Sequence, residues 1–266
     1  MISRDVEKLI LAHGVSSCGV VSLGDLPQLS ERNKQRLRAR IENPQTVLAL
    51  LFPYFAGEQP GNISYYARGT DYHIVLNDRL CKICAGLKAV FPNNAFVPFA
   101  DISPINEVAA AVQSGAALRG KNGLAICPEH GSYVFVGIII TDMAFDGKPQ
   151  VKDCDRCGKC LDACPTGALA AKNPELCLSA ITQKKSELSP EEISHMRNCN
   201  TAWGCDICQQ VCPHNKSPKL TETAEFRADL ICNLTREILD NTSLENRAFT
   251  WRGKQVLYRN LEILEK

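Results

Sequence analysis

No apolar run in this sequence is long enough to cross a bilayer as a helix. The longest, Tyr133 to Thr141, is far short of the roughly 20 residues that a helical span needs. Charge of either sign is also not in surplus. Thirty Lys and Arg against 29 Asp and Glu leave a net charge of +1, so electrostatics gives no case for a nucleic-acid or membrane-surface partner. Neither a G-x-G-x-x-G run nor a Walker A run occurs, and Gly120-Lys-Asn-Gly123 matches neither. A Rossmann dinucleotide site and a P-loop are therefore unsupported. Low-complexity tracts and long internal repeats are absent too. Met1-Ile-Ser-Arg-Asp-Val-Glu-Lys8 reads as a helix start rather than a secretory leader. The expectation is a soluble cytoplasmic protein with no membrane partner.

What the sequence does have is cysteine, 14 in 266 residues. In a reducing compartment, that abundance points to metal ligation rather than disulfides. Residues 154 to 165 read Cys154-Asp-Arg-Cys157-Gly-Lys-Cys160-Leu-Asp-Ala-Cys164-Pro165. This is C-x2-C-x2-C-x3-C-P, the spacing by which bacterial-type ferredoxins hold cubane clusters. Three thiolates two residues apart grip three corners of one cubane, and the fourth ligates a different cluster. Pro165 removes a backbone donor where the chain turns. The partner set is Cys205-Asp-Ile-Cys208-Gln-Gln-Val-Cys212-Pro213, with Cys177 completing the count. One [4Fe-4S] cluster is assigned to Cys154, Cys157, Cys160 and Cys212, and the other to Cys164, Cys177, Cys205 and Cys208. Zinc accepts CxxC pairs, but eight thiols in this order fit it poorly.

Upstream lies an α/β pattern. Helices are expected over 3–13, 30–41 and up to Phe91, and strands over Ser16–Leu23, Thr46–Phe52 and 95–99. Thr46 to Phe52 is continuously apolar, as a strand covered on both faces requires. Cys18, and Cys81 and Cys84 beside Leu80, Ile83 and Leu87, are read as core residues. Ser103 and Pro104 open a helix as N-cap and first residue, with Asp101 just before them. Two apolar runs, Leu124–Cys127 and Tyr133–Ile140, suggest a hairpin. Asp146-Gly-Lys-Pro149 is the expected linker. The resulting division is an α/β domain over 1–148, a ferredoxin-like domain over 149–216 and a helical segment over 217–266. Clusters fused to an α/β domain of this size imply that the electrons are used within the chain.

The chain resembles the epoxyqueuosine reductase family, cobalamin-dependent iron–sulfur enzymes. The resemblance rests on Tyr66-Ala-Arg-Gly-Thr-Asp-Tyr-His73, Asp101-Ile-Ser-Pro104 with Glu107, Gly120-Lys-Asn-Gly123, Gly131-Ser-Tyr-Val-Phe-Val-Gly137 and Trp203-Gly-Cys-Asp-Ile-Cys-Gln-Gln-Val-Cys-Pro213 with Asn215. It implies a nitroreductase-like domain binding base-off cobalamin, two [4Fe-4S] clusters, and reduction of epoxyqueuosine in a tRNA anticodon loop to queuosine. It also implies an external low-potential electron donor of the ferredoxin or flavodoxin type. Asp101 carries over as proton donor, a role in which burial raises a carboxyl toward the working pH. Cobalamin contacts are implied at Tyr66, Asp71, Asp101, Lys121, Ala125, Cys127 and Val136, and at Pro213 and Asn215.

Three positions depart from the family pattern. Val108 replaces an arginine, Leu118 replaces an aromatic, and the chain ends at Lys266, where family members continue into a helical-repeat domain that grips tRNA. The readings kept open are a short epoxyqueuosine reductase, a cobalamin-dependent reductase of another small substrate, and an electron-transfer or cobalamin-reactivating protein. The pairing itself is testable by iron assay after anaerobic reconstitution. About eight irons per chain are expected, falling to about half in Cys177→Ala and staying at eight in Cys199→Ala.

Overall fold

An unbroken apolar strand must be covered on both faces, and the first unit of the fold is built around one. The computed structural model describes residues 3–145 and 148–266. Asp146 and Gly147 of the expected linker lie outside the described residues. The chain gathers into two units interleaved in sequence, Met1–Pro53 with His73–Arg156 and Tyr54–Tyr72 with Cys157–Lys266. This division differs from the contiguous one expected over 1–148, 149–216 and 217–266.

The first unit runs α1 (Arg4–Leu11), β1 (Ser17–Ser22), α2 (Glu31–Arg38), β2 (Thr46–Pro53), α3 (Tyr72–Val90), β3 (Phe96–Ala100), α4 (Glu107–Gln113), β4 (Leu118–Arg119), β5 (Ala125–Ile126) and β6 (Val134–Thr141). Only Tyr72 of α3 belongs to the second unit. Ser3 and Ser30 cap α1 and α2, their hydroxyls accepting from the Val6 and Asn33 N–H groups.

Four strands pair in the order β1-β2-β6-β3, every pairing antiparallel. All of β2 is buried. Val47, Ala49 and Leu51 join Leu37 of α2 and Ala110 and Ala111 of α4 in one core. On the other face, Phe52 of β2 and Leu80 of α3 crowd Gly137 of β6, where a Cβ would lie 2.8 and 3.0 Å from them. Each buried aliphatic side chain contributes about 1.5–3 kcal/mol, so β2 is the unit's keystone. Pro98 sits in β3 at the sheet edge, where a missing donor costs least.

Three expectations are corrected. Ser103 does not cap α4; its hydroxyl accepts from the Ile105 N–H at 3.2 Å, making a local turn. Asn106 is the N-cap, its Oδ1 accepting from the Ala109 N–H at 2.9 Å, because the Ser103–Pro104 turn delays the helix. The expected hairpin shrinks to one bridge, Cys127 with Gly131. β5 pairs with β4, while β6 joins the main sheet. Cys84 is buried on α3 but Cys81 is exposed, since Cys81, one residue and about 100° past Leu80, turns off the face shared by Leu80, Ile83 and Leu87.

The second unit holds short helices α5 (Lys159–Asp162), α6 (Ala168–Ala171), α7 (Leu178–Thr182), α8 (Pro190–Asn198), α9 (Ile207–Gln210), α10 (Arg236–Asn241) and α11 (Lys254–Glu265). The segment from Tyr54 to Tyr72 is part of it. Ile63 and Ala67 share a core with Ala202 and Trp203 and with Leu234, Leu239, Phe249 and Leu257 from the C-terminal segment. Fully buried Asn260 of α11 donates to the Thr182 and Ala202 carbonyls at 2.7 and 2.8 Å. The last fifty residues therefore brace this unit rather than standing alone.

The reassigned cap predicts a contrast. Asn106→Ala should cost about 1 kcal/mol, and Ser103→Ala only a few tenths. Urea unfolding of both variants measures the difference, and equal losses would refute the assignment.

Candidate functional site

In the second unit the cysteine spacing becomes two packed turns. Gly158, at φ 86°, opens α5, which carries buried Cys160, and α5 packs on α9, which carries Cys208. Cys177 precedes α7 at the end of a short 3-10 turn, and Cys212 precedes another, Pro213–Asn215. Burial raises the Cys164 thiol, but hydrogen bonds from the Leu169, Thr166 and Ala168 backbone and the Thr166 hydroxyl outweigh it, leaving its pKa below the ordinary value. Donors aimed at sulfur favour thiolate, the form that ligates iron. Cys205 is pushed up to about 12, chiefly by burial, with nearby Asp206, Cys208 and Cys177 adding to it against an opposing Ile207 N–H. A thiolate in that setting requires a strongly positive partner, which iron supplies. Three of the four thiols assigned to one cluster thus act on one another here. Among the described residues, no three His, Cys, Asp or Glu side chains converge as ligands of a single metal ion. The donor chemistry fits cubanes, in which each thiolate takes its own iron.

Asp206 of the Trp-Gly-Cys-Asp run is the residue whose role sequence reasoning missed. It is buried and accepts from Ser64 Oγ at 2.7 Å, the Tyr65 N–H at 2.8 Å and Gln209 Nε2 at 3.1 Å. Its pKa is raised, burial outweighing these donors and the nearby Arg68. Adjacent Gly204 is required: at φ 75°, a Cβ there would lie 2.4 Å from that of Ser64. Tyr66 accepts from Trp203 Nε1 at 2.9 Å, and the Asp71 N–H donates to the Asn246 carbonyl at 2.7 Å. Asn215 is buried, donating to the Gln209 carbonyl at 2.8 Å, and Pro213 is exposed. Tyr66, Asp71, Pro213 and Asn215 thus lie in one unit.

The first unit holds the remaining expected residues. The Lys121 N–H points at Cys154 Sγ, 3.3 Å away. Beside it, Arg119 and Arg156 share Asp153 around a cavity of about 170 Å³ lined also by Gly120 and Lys121. Ala125 and Cys127 are buried in the core that includes Ala49 and Ile138, and half-buried Val136 packs against it. The Ala125 and Cys127 side chains are enclosed there, and the Cys127 N–H donates to the Gly131 carbonyl at 2.8 Å.

Asp101 occupies the turn after β3. It has φ 62°, and the Ile102 N–H closes on the Ala100 carbonyl at 2.8 Å across it. A three-residue turn with positive φ is rare and strained. Arg36 holds the Ile102 carbonyl at 3.2 Å. The Asp101 carboxyl is half-exposed and lies 3.1 Å from His73 Nε2. Glu107, the first residue of α4, completes the group. One of its oxygens, Oε1, is enclosed without a hydrogen-bond partner. A helix N-terminus favours a carboxylate by about 0.3–1 kcal/mol, less than one pKa unit. Burial prevails, pushing Glu107 up to about 8, with Asp101 adding and the Ser103 backbone and His73 opposing. The spacing Asp101-x5-Glu107 was visible in the sequence, but its burial was not. A cavity of about 1000 Å³, lined by residues between Ser22 and Phe145, contains none of these residues.

Sequence comparison places this geometry in context. Residues 153–215 match the family described as "4Fe-4S double cluster binding domain", and 34–101 match "Epoxyqueuosine reductase QueG, DUF1730". The epoxyqueuosine reductase of Lactococcus garvieae is 31% identical over 256 residues, covering 88% of this chain and 71% of that protein. The Synechocystis enzyme is 32% identical over 76% of this chain and 74% of its own length. The chain belongs to the epoxyqueuosine reductase family. Against the family's Listeria monocytogenes member, 33% identical over 84% of this chain, it spans 64% of the relative's length, and against the Bacillus anthracis member 56%. A solved epoxyqueuosine reductase from Streptococcus thermophilus superposes with a TM-score of 0.81 at 26% identity, covering 98% of this chain and 80% of that one. The fold is thus mixed α and β with a ferredoxin-like part that binds two [4Fe-4S] clusters. Among the described residues, no helix is long and apolar enough to cross a membrane.

The raised Glu107 pKa has a testable sign. Folding stability from a carboxyl raised from 4.5 to about 8 is fully present below pH 4.5 and is lost as pH rises through 8. Glu107→Gln should therefore melt a few degrees higher than the parent at pH 9 and gain nothing at pH 5. Equal shifts at both pH values would contradict a buried, neutral carboxyl.

Proposed function

We propose that this chain is a cobalamin- and iron–sulfur-dependent reductase that converts epoxyqueuosine in a tRNA anticodon loop to queuosine. The observation that carries the reading is Asp101, an acid held on a strained turn beside His73 in a chain of this family. A solved relative at 24% identity is described with a tRNA-Tyr epoxyqueuosine-modified stem loop. The first unit is read as a nitroreductase-like cobalamin-binding domain, a reading that the antiparallel sheet with helices on both faces supports.

Cys154, Cys157, Cys160 and Cys212 hold one cluster in this proposal, and Cys164, Cys177, Cys205 and Cys208 the other. An external low-potential donor supplies electrons one at a time. The basic cavity of Arg119, Lys121 and Arg156 beside Cys154 would receive its carboxylates. Polar backbone at a glycine turn and a neighbouring acid suit a corrin with amide side chains. Lys121, the backbone of Ala125 and Cys127, Val136 and Asp101 would hold cobalamin on this unit. When bound, cobalamin supplies a strongly reducing cobalt centre. Asp101 donates a proton to the oxygen that leaves the epoxide, and His73 fixes the orientation of its carboxyl.

Asp101→Asn keeps the shape and removes the proton. Single-turnover reduction of an epoxyqueuosine stem loop should fall about 10²–10⁴-fold while iron content is unchanged. An unaffected rate would remove Asp101 from the mechanism.

A further inference from the structure

The chain has two tryptophans, and the fold treats them in opposite ways. Trp203 is wholly enclosed, while Trp251 is 59% exposed. Trp251 and Arg252 are the two central residues of a tight turn between fully buried Phe249 and α11. The Gly253 N–H donates to the Thr250 carbonyl at 2.8 Å and closes it. Trp251, at φ −60° and ψ −22°, matches the first central position of a type I turn, and glycine suits the last. The indole is fixed from two sides. Its Nε1 donates to Gln183 Oε1 at 3.2 Å, and the Arg252 guanidinium carbon lies 3.7 Å from the ring centroid. Arg252 Nε is enclosed without a hydrogen-bond partner. Stability does not account for a tip that holds a large apolar ring in water and leaves a guanidinium nitrogen unpaired.

Cations surround the tip. Lys184 and Lys185 follow Gln183 directly, and Arg259 of α11 donates from Nη1 to the Ser186 carbonyl at 2.8 Å. Lys184 is matched by Glu192. Arg252 and Arg259 instead meet neutral groups, the indole for one and the Ser186 carbonyl with Asn260 Oδ1 for the other, so their charge is left for an anion. Glu187 and Glu191 are exposed on the same stretch. The attraction is therefore local, suited to a single phosphate rather than to the flank of a duplex.

We propose that this tip is a stacking platform for one unpaired RNA base, with Trp251 taking the base on its open face and Arg259 and Lys185 the adjacent phosphate. The occupant rests on the proposed reaction: it is the loop of the anticodon stem loop. A flat ring accepts any base, because every base has a π-face, and the guanidinium behind the indole holds it in place. Bases in a helix are already stacked, so the ring selects unpaired ones. A protein partner requires contiguous apolar surface around such a ring, whereas this one is flanked by an amide and a guanidinium.

The test measures binding of a fluorescent epoxyqueuosine-bearing stem loop to the reconstituted full chain, by anisotropy at fixed low salt. Parent, Trp251→Ala and Trp251→Phe are compared, the last keeping a flat ring, and iron content checks folding. Trp251→Ala should weaken binding about 10–100-fold, and Trp251→Phe should recover most of the loss. Stem loops lacking one loop base at a time then locate the partner. One abasic loop should lose as much against the parent as Trp251→Ala loses, and nothing further against Trp251→Ala. Lys185→Ala should lower the salt slope by about 0.7. Trp251→Ala binding within about twofold of the parent, with no abasic loop coupled to it, would overturn the proposal; turnover by the parent in that case leaves the reaction standing. Coupling without turnover by the parent upholds the platform and counts against the reaction. No binding of the stem loop by the parent overturns the platform and the tRNA substrate together.

Discussion

The buried carboxylate of Asp206 is the constraint on which the cluster-binding unit depends. Two of its three donors, Ser64 Oγ and the Tyr65 N–H, come from a segment more than 140 residues earlier in the chain. A carboxyl taken out of water to this degree is tolerable only when its oxygens are hydrogen-bonded, so the segment from Tyr54 to Tyr72 cannot leave without stranding it. The Ile63–Trp203 bridge and the Trp203–Tyr66 hydrogen bond fasten the same contact. Asp206 lies between Cys205 and Cys208, so the early segment also fixes the loop that presents these thiols.

What the sequence disclosed follows from where the information is local. The cysteine block is legible because cluster ligation demands particular residues at particular spacings, and β2 because an eight-residue buried strand has no polar alternation. Two things were hidden for the same reason. Nothing within Asn62-Ile-Ser-Tyr65 signals that its partners are Trp203 and Asp206, since that attachment is a long-range pairing. The start of α4 was misplaced because Ser103-Pro104 is a good helix opening by composition, while Asn106 holds the cap. β5 misled similarly: its turn closes with one bridge at Cys127 and Gly131, then the strands part to different sheets.

The candidate site shows a similar split between visible identity and hidden state. Asp101 and Glu107 are both carboxyls at recognisable positions, yet the fold gives them opposite surroundings. Asp101 is half in solvent on a left-handed turn beside His73; Glu107 is enclosed at a helix start and holds its proton into the alkaline range. Two carboxyls six residues apart are thus set in one exposed and one enclosed environment, the kind of contrast by which a fold separates acid–base roles. The cavity of about 1000 Å³ between Ser22 and Phe145 carries none of this chemistry.

The most direct measurement is nucleoside mass analysis of an epoxyqueuosine-bearing anticodon stem loop after anaerobic incubation with the reconstituted, corrinoid-loaded protein and a low-potential reductant. Loss of one oxygen, giving queuosine, is the outcome expected of a reductase built around Asp101. Unchanged epoxyqueuosine, from protein that holds both clusters and corrinoid, would contradict that reaction.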